Sequence, residues 1–127
     1  MKIAISSTGR DIEGNIGATF GRAPFFLIMD TTTKEVKVIE NKVRERSDGI
    51  GITVVNIIVG EKIDALITND IGPSAFEIVE RCRIKVYQAK GRIKDAIRLF
   101  KEGKLSEITK ATGLKYMGLK KKKSGLR

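Results

Sequence analysis

The chemistry open to this chain lies in four short segments. Three carry glycine beside small polar residues: Ser6-Ser7-Thr8-Gly9, Asp48-Gly49-Ile50-Gly51 and Asn69-Asp70-Ile71-Gly72. The fourth is Thr19-Phe20-Gly21-Arg22. Glycine lets a backbone approach a ligand closely. Where such a segment leads into a helix, free N–H groups and the positive end of the helix dipole favour an anion. Helices are expected to begin after Gly51 and Gly72, the second weakened as an anion site by Pro73, which has no N–H. Arg22 has the forked guanidinium that grips an oxyanion. Ser7, Thr19 and Asn69 can add neutral hydrogen bonds. The candidate binding residues are therefore Ser7, Thr19, Arg22, Gly49, Gly51, Asn69 and Gly72. Each also has a plainer reading: the glycines as turn formers, Arg22 as a brace for its own loop, Asn69 and Asp70 as turn and cap residues.

The residue types that are missing narrow the chemistry further. The chain has no histidine and one cysteine, Cys82. Histidine-based triads are excluded, and so is the commonest general base. A closed zinc site or a four-cysteine iron–sulfur cluster cannot be built from one chain. Cys82 cannot form an internal disulfide, and it shares a helical stripe with Ala75 and Val79, which reads as a buried, inert thiol. A two-metal nuclease needs clustered carboxylates. The first strand, Ile3-Ala4-Ile5-Ser6, supplies none, and Asp70 is the one carboxylate placed near the point where strand order reverses. A binding protein is expected rather than an enzyme.

The elements that must position these residues can be read along the chain. Lys2–Ser6 is a short buried strand. Residues 24–30 form a second strand, strongly apolar through Phe25-Phe26-Leu27-Ile28-Met29, with Phe20, Phe25 and Phe26 assigned to the core. A polar turn at Thr31–Lys34 and alternation from Glu35 to Glu40 complete a hairpin. Lys42–Gly51 is a charged loop. Ile52–Val59 is rich in β-branched residues, which favours strand; Asp48 and Gly49 as a start, the stripe Ile50, Val54, Ile57, Ile58 and a stop at Gly60 favour helix, and helix is chosen. Ile63–Thr68 is the fourth strand, Pro73 opens a helix, and Ile84–Tyr87 is the fifth strand. Ile93, Ala96, Ile97 and Phe100 mark an amphipathic helix, with Gly103 as a left-handed cap. Strands one, four and five should be parallel, joined by right-handed crossovers, with strand two against its neighbours.

The chain has 127 residues, 41% hydrophobic and 31% charged, as expected for one globular domain. No apolar run approaches the ~20 residues that span a bilayer. No signal-peptide pattern precedes the first strand, so a cytoplasmic location is expected. The net charge is +10. Seven of the basic residues (Lys110, Lys115, Lys120, Lys121, Lys122, Lys123 and Arg127) fall after Thr109, with no acid among them. The reading is a domain over residues 1–109 and a mobile basic tail over 110–127, able to attract nucleic acid or acidic proteins nonspecifically. High Lys, Glu and Ile content hints at a thermophilic source.

Several runs, in this order, resemble the dinitrogenase iron–molybdenum cofactor biosynthesis family, in its small stand-alone archaeal and bacterial members. They are Met1-Lys2-Ile3-Ala4-Ile5-Ser6-Ser7, Phe20-Gly21-Arg22-Ala23-Pro24-Phe25-Phe26, Val38-Ile39-Glu40-Asn41 and Gly72-Pro73-Ser74-Ala75-Phe76-Glu77, continued by Ile84–Tyr87 and Phe100–Leu105. The resemblance implies a three-layer α/β fold of the ribonuclease H-like type, a mixed five-stranded sheet in the order 3-2-1-4-5 with strand two antiparallel and helices on both faces. In that order, the strand order reverses between strands one and four, where open sheets bind ligands beyond the carboxyl ends. It also implies noncovalent carriage or assembly of an anionic molybdenum- or iron-containing metal–sulfur cluster, with cluster-assembly proteins as partners and no membrane. Thr19 occupies the position at which the family has a histidine beside its presumed cluster site, and the family's glycine-rich central loop is replaced by Arg44-Glu45-Arg46-Ser47-Asp48-Gly49. Two other classes stay open at the level of sequence: a cofactor-free scaffold, and a nucleic-acid-associated module that uses the basic tail.

Overall fold

Alternation along the strands sorts the apolar residues onto two faces of one sheet. The computed structural model describes residues 1–45 and 50–112. Its strands are β1 (Lys2–Ser7), β2 (Phe25–Asp30), β3 (Val36–Glu40), β4 (Ala65–Thr68), β5 (Lys85–Gln88) and β6 (Ser106–Ile108). Its helices are α1 (Ile50–Val59), α2 (Pro73–Arg81) and α3 (Ile93–Lys101). The register aligns Ile5 with Leu27 on β2 and with Ile67 on β4, and Ala4 with Ile28 and Leu66. The first set packs with Ile93, Ala96 and Ile97 of α3. The second packs with Val54, Val55 and Ile58 of α1 and with Ala75, Phe76 and Val79 of α2. Helices therefore cover both faces, α1 and α2 on one and α3 on the other.

The sheet is mixed, in the order β3-β2-β1-β4-β5-β6. β1, β4 and β5 are parallel, and β2 runs against both β1 and β3. This order agrees with expectation except at one edge. Five strands were expected, and a sixth is present: Ser106–Ile108 pairs antiparallel with Val86, Tyr87 and Gln88. Three residues with one buried side chain, Ile108, are too short to display a period of two. Pairing with β5 defines this strand, not its own pattern.

Three other local expectations need correction. In α1 the buried residues are Ile50, Val54, Val55 and Ile58, whereas Ile57 is 47% exposed. The helix is apolar nearly all round, so the sheet selects its buried face. Cys82 is exposed, not buried. α2 ends at Arg81, and the chain turns through Arg83 (φ 60°) so that Ile84 takes the buried place beyond it. Phe25 is half-buried rather than core, with the Arg10 guanidinium 4.7 Å above its ring. Phe20 and Phe26 are buried and in contact, ring centroids 5.2 Å apart. Gly103 has φ 71°, the left-handed conformation expected after α3. Pro73 is the first residue of α2, again as expected.

Candidate functional site

The point where strand order reverses lies at the carboxyl ends of β1 and β4, and two buried hydroxyls tie these ends together. Ser6 Oγ donates to Thr68 Oγ1 at 2.8 Å, and both side chains are fully buried. Ser7 is buried too, and its hydroxyl is consumed locally: it donates to Gly9 O at 2.7 Å and accepts from Gly9 N–H at 3.0 Å. The chain then loops out and returns along the same strand end, where Gly17 N–H donates to Ser6 O. A Cβ on Gly17 would lie 2.8 Å from Ala23 Cβ, so only glycine fits this crossing.

Next the chain runs beside the turn that follows β4. Thr19 and Asp70 form a parallel bridge, with Phe20 N–H donating to Asp70 O at 2.8 Å and Asp70 N–H donating to Ala18 O at 3.1 Å. Phe20–Arg22 then makes one turn of 3-10 helix. This turn is clasped from behind by Asn41, which is 7% exposed. Asn41 Nδ2 donates to Gly21 O and to Ala23 O, each at 2.9 Å, and Oδ1 accepts from Val43 N–H at 3.3 Å. Buried Phe20 plugs the turn into the core beside Phe26.

The turn rests on the amino end of α1. A Cβ on Gly21 would stand 3.0 Å from Ile50 Cγ2 and 3.6 Å from Gly51 N. Gly51 is the second residue of α1, inside its first turn rather than just before it, and it faces Ala75 of α2 at 3.6 Å from an ideal Cβ. Gly72 is the N-cap of α2, with φ −77° and open space where a Cβ would be. It has no side chain with which to cap the helix, so the first N–H groups of α2 lack a side-chain acceptor at that position.

Of the residues expected at the site, Thr19, Arg22, Gly51 and Gly72 are thus brought to one rim, formed by the bridge at Asp70 and the first turns of α1 and α2. Ser7 stays behind the rim. Asn69 is turned toward β5, where Gln88 Nε2 donates to its backbone oxygen at 3.0 Å. Gly49 lies outside the described residues. Arg22 is exposed, and its Nη1 donates to Arg44 O at 2.6 Å, so it braces the following loop while carrying charge to the rim. Asn41, Ser6 and Thr68 were not anticipated as site-building residues. Asn41 offered only its place in the Val38-Ile39-Glu40-Asn41 run as a signal, and its partners are some 20 residues away in sequence.

The rim is chemically suited to outer atoms of an anion. Among the described residues no group of three or more histidine, cysteine, aspartate or glutamate side chains is placed to hold a metal ion. N–H groups, the Thr19 hydroxyl and the Arg22 guanidinium are donors to oxygen or sulfur, not ligands to iron or molybdenum. No described helix is long and apolar enough to cross a membrane.

Comparison with known proteins places the chain among relatives of similar sequence and fold. The family model "Dinitrogenase iron-molybdenum cofactor" matches residues 1–103. An uncharacterized protein of Methanocaldococcus jannaschii is 32% identical over 113 residues, covering 85% of this chain and 96% of its own. The apo form of the orange protein from Desulfovibrio gigas superposes with a TM-score of 0.83 at 25% identity, covering 88% of this chain and 96% of that one. A Thermotoga protein of the DUF35 family, described provisionally as NifB, superposes with a TM-score of 0.78 at 35% identity, with coverages of 88% and 97%.

Proposed function

The chain belongs to the dinitrogenase iron–molybdenum cofactor family, and from that membership we propose that it is a noncatalytic cytoplasmic carrier for an anionic molybdenum- or iron-containing metal–sulfur cofactor. The cofactor is cargo, held at the rim without bonds from protein to metal. The observation that carries this reading is the Thr19–Asp70 bridge. It sets the family's signature run, Phe20 to Pro24, against the first turns of α1 and α2. Backbone N–H groups near Gly51 and Gly72 would face the cluster's outer sulfur or oxygen atoms, with Thr19 adding a hydroxyl and Arg22 adding charge. A place for reversible binding, rather than ligation, follows from the donor types. The β3-β2-β1-β4-β5 order with β2 antiparallel supports the ribonuclease H-like description of the fold.

The test is titration of the protein with tetrathiomolybdate and molybdate, followed by absorption spectroscopy and calorimetry. Wild type should bind the thio-anion saturably. Arg22→Gln should weaken binding roughly three- to ten-fold, the range for a solvent-accessible charge-assisted contact. Gly72→Ala is sterically free in this structure and should fold normally, yet it should impair binding by placing a methyl group before the α2 N–H groups. Thr19→His should strengthen binding as pH falls and the imidazole becomes a cation, the trend expected for an anion held by charge rather than by metal ligation. Absence of saturable binding in the folded wild-type protein would overturn the carrier reading in favour of a cofactor-free scaffold.

A further inference from the structure

A second concavity lies on the other face of the sheet, at the last turn of α3. It has a volume of about 450 Å³ and is lined by Met1, Thr31, Tyr87, Phe100, Lys101, Gly103 and Leu105. That volume is within the range of small-molecule sites. Its floor is aromatic and aliphatic. Tyr87 and Phe100 meet edge to face, ring centroids 5.3 Å apart at 75°, and both are half-buried with Leu105 beside them. The Tyr87 hydroxyl has no hydrogen-bond partner among the described residues, although it is a donor and acceptor at a half-buried position.

The rim of this concavity is cationic and uncompensated. No carboxylate lines it. Neither Lys101 nor Lys34 has an acidic side chain within ion-pair distance among the described residues; Glu102 is engaged with Arg98 and Lys104 instead. Asp30, at the base of the same turn as Lys34, has Oδ1 tied to the N–H groups of Thr32 and Thr33. Lys34 has a left-handed backbone, φ 70°, with its N–H donating to Asp30 O. The Lys34 amine beside it pulls the Lys101 ammonium below the usual lysine range, with burial and charge repulsion acting in the same direction. Two like charges side by side above an apolar floor favour an anion between them, as opposite charge complementarity requires.

We infer that this concavity is a binding site for a small amphipathic carboxylate, whose apolar body lies on Tyr87, Phe100 and Leu105 and whose carboxylate meets Lys101 and Lys34. The Tyr87 hydroxyl is available as a further donor. The site is independent of the rim at Thr19 and Asp70, since it lies on the α3 face.

The experiment uses the full chain, isotopically labelled, and three probes of one shape: 4-phenylbutyrate, 4-phenylbutanol and 4-phenylbutylamine. Amide shifts are followed by two-dimensional NMR. The carboxylate should move the resonances of Thr31, Tyr87 and residues 100–105, and bind about five-fold or more tighter than the alcohol, with the amine weakest. Lys101→Gln, an exposed substitution that leaves the fold intact, should erase most of the preference for the carboxylate over the alcohol, and Lys34→Gln should reduce it. Equal binding of the three probes, shifts confined to other residues, no shifts at all, or a carboxylate preference unchanged in both variants would each overturn the assignment.

Discussion

Thr19 and Asp70 stand side by side as partners in a parallel bridge, so a hydroxyl and a carboxylate share one side of the candidate rim. The bridge extends pairing beyond the end of β4 and fixes the separation between the Phe20–Arg22 turn and the start of α2. It also places a negative charge where an anionic ligand is proposed to lie. The rim therefore combines attraction from Arg22 and the helix ends with a local repulsion, a combination suited to release as well as capture.

Asp70→Asn should expose that balance. The substitution leaves the backbone bridge intact and removes one negative charge. Affinity for tetrathiomolybdate should rise about two- to five-fold at low ionic strength, and the gain should shrink in high salt. Unchanged affinity at every salt concentration would place the ligand away from the bridge.

Asn41→Ala should destabilise the protein by about 2–3 kcal/mol. Its two donated bonds hold Gly21 O and Ala23 O in a buried setting, and their loss leaves unsatisfied carbonyls. Denaturant melts would measure the loss. Amide exchange should show it concentrated in residues 20–24, with the α3 face protected as before.

Two truncations should differ. Ending the chain after Thr112 should leave the melting temperature nearly unchanged. Ending it after Thr109 removes Thr112, whose Oγ1 accepts from Ile71 N–H and whose N–H donates to Ile71 O, each at 3.1 Å, and removes Ala111, which packs on the core. That should cost about 1–3 kcal/mol, seen as a drop of roughly 5–15 °C.

Cys82 should react with a disulfide reagent such as DTNB in the native protein, at a rate within a few-fold of the unfolded chain, because it is exposed past the end of α2. Cys82→Ser should change stability by less than about 0.5 kcal/mol. Slow, unfolding-limited labelling would show the thiol to be covered.

Acid should weaken the turn after β2. The N–H groups of Thr33 and Thr32 donate to the Asp30 carboxylate and hold its pKa below the ordinary value of 3.8. Below that value the unfolded chain takes up a proton that the folded chain does not, so stability falls as pH drops toward the folded pKa. Asp30→Asn should flatten stability against pH below about 4 and leave the slope above it unchanged.

Much of the architecture was legible because each element declares itself within a few residues. Ile93, Ala96 and Ile97 mark one face of α3, and the apolar run 25–29, the polar turn 31–34 and the alternation over 35–40 mark the hairpin. α1 was harder, since Ile52 and Ile57 are as apolar as the buried Val54 and Val55 and only the sheet decides between them. Strand β6 and the exposure of Cys82 were hidden for a related reason: both depend on what lies alongside, not on local pattern. At the candidate site, Gly51, Gly72 and Arg22 are brought to the rim by turns that their residue types mark in the sequence. The direction of a hydroxyl or amide could not be read in the same way. Ser7 turns into its own loop, Asn69 faces Gln88, and Asn41 does its work on a segment 18 to 20 residues earlier.

The attachment of Thr112 to Ile71 also decides where the basic end of the chain departs. Ile71 immediately precedes Gly72, so the chain at Thr112 is anchored next to the amino end of α2. By covalent reach alone, Lys115 stays within about 11 Å of Thr112. The ionic-strength dependence of binding at the rim accordingly reports on charge beyond the sheet as well as on Arg22.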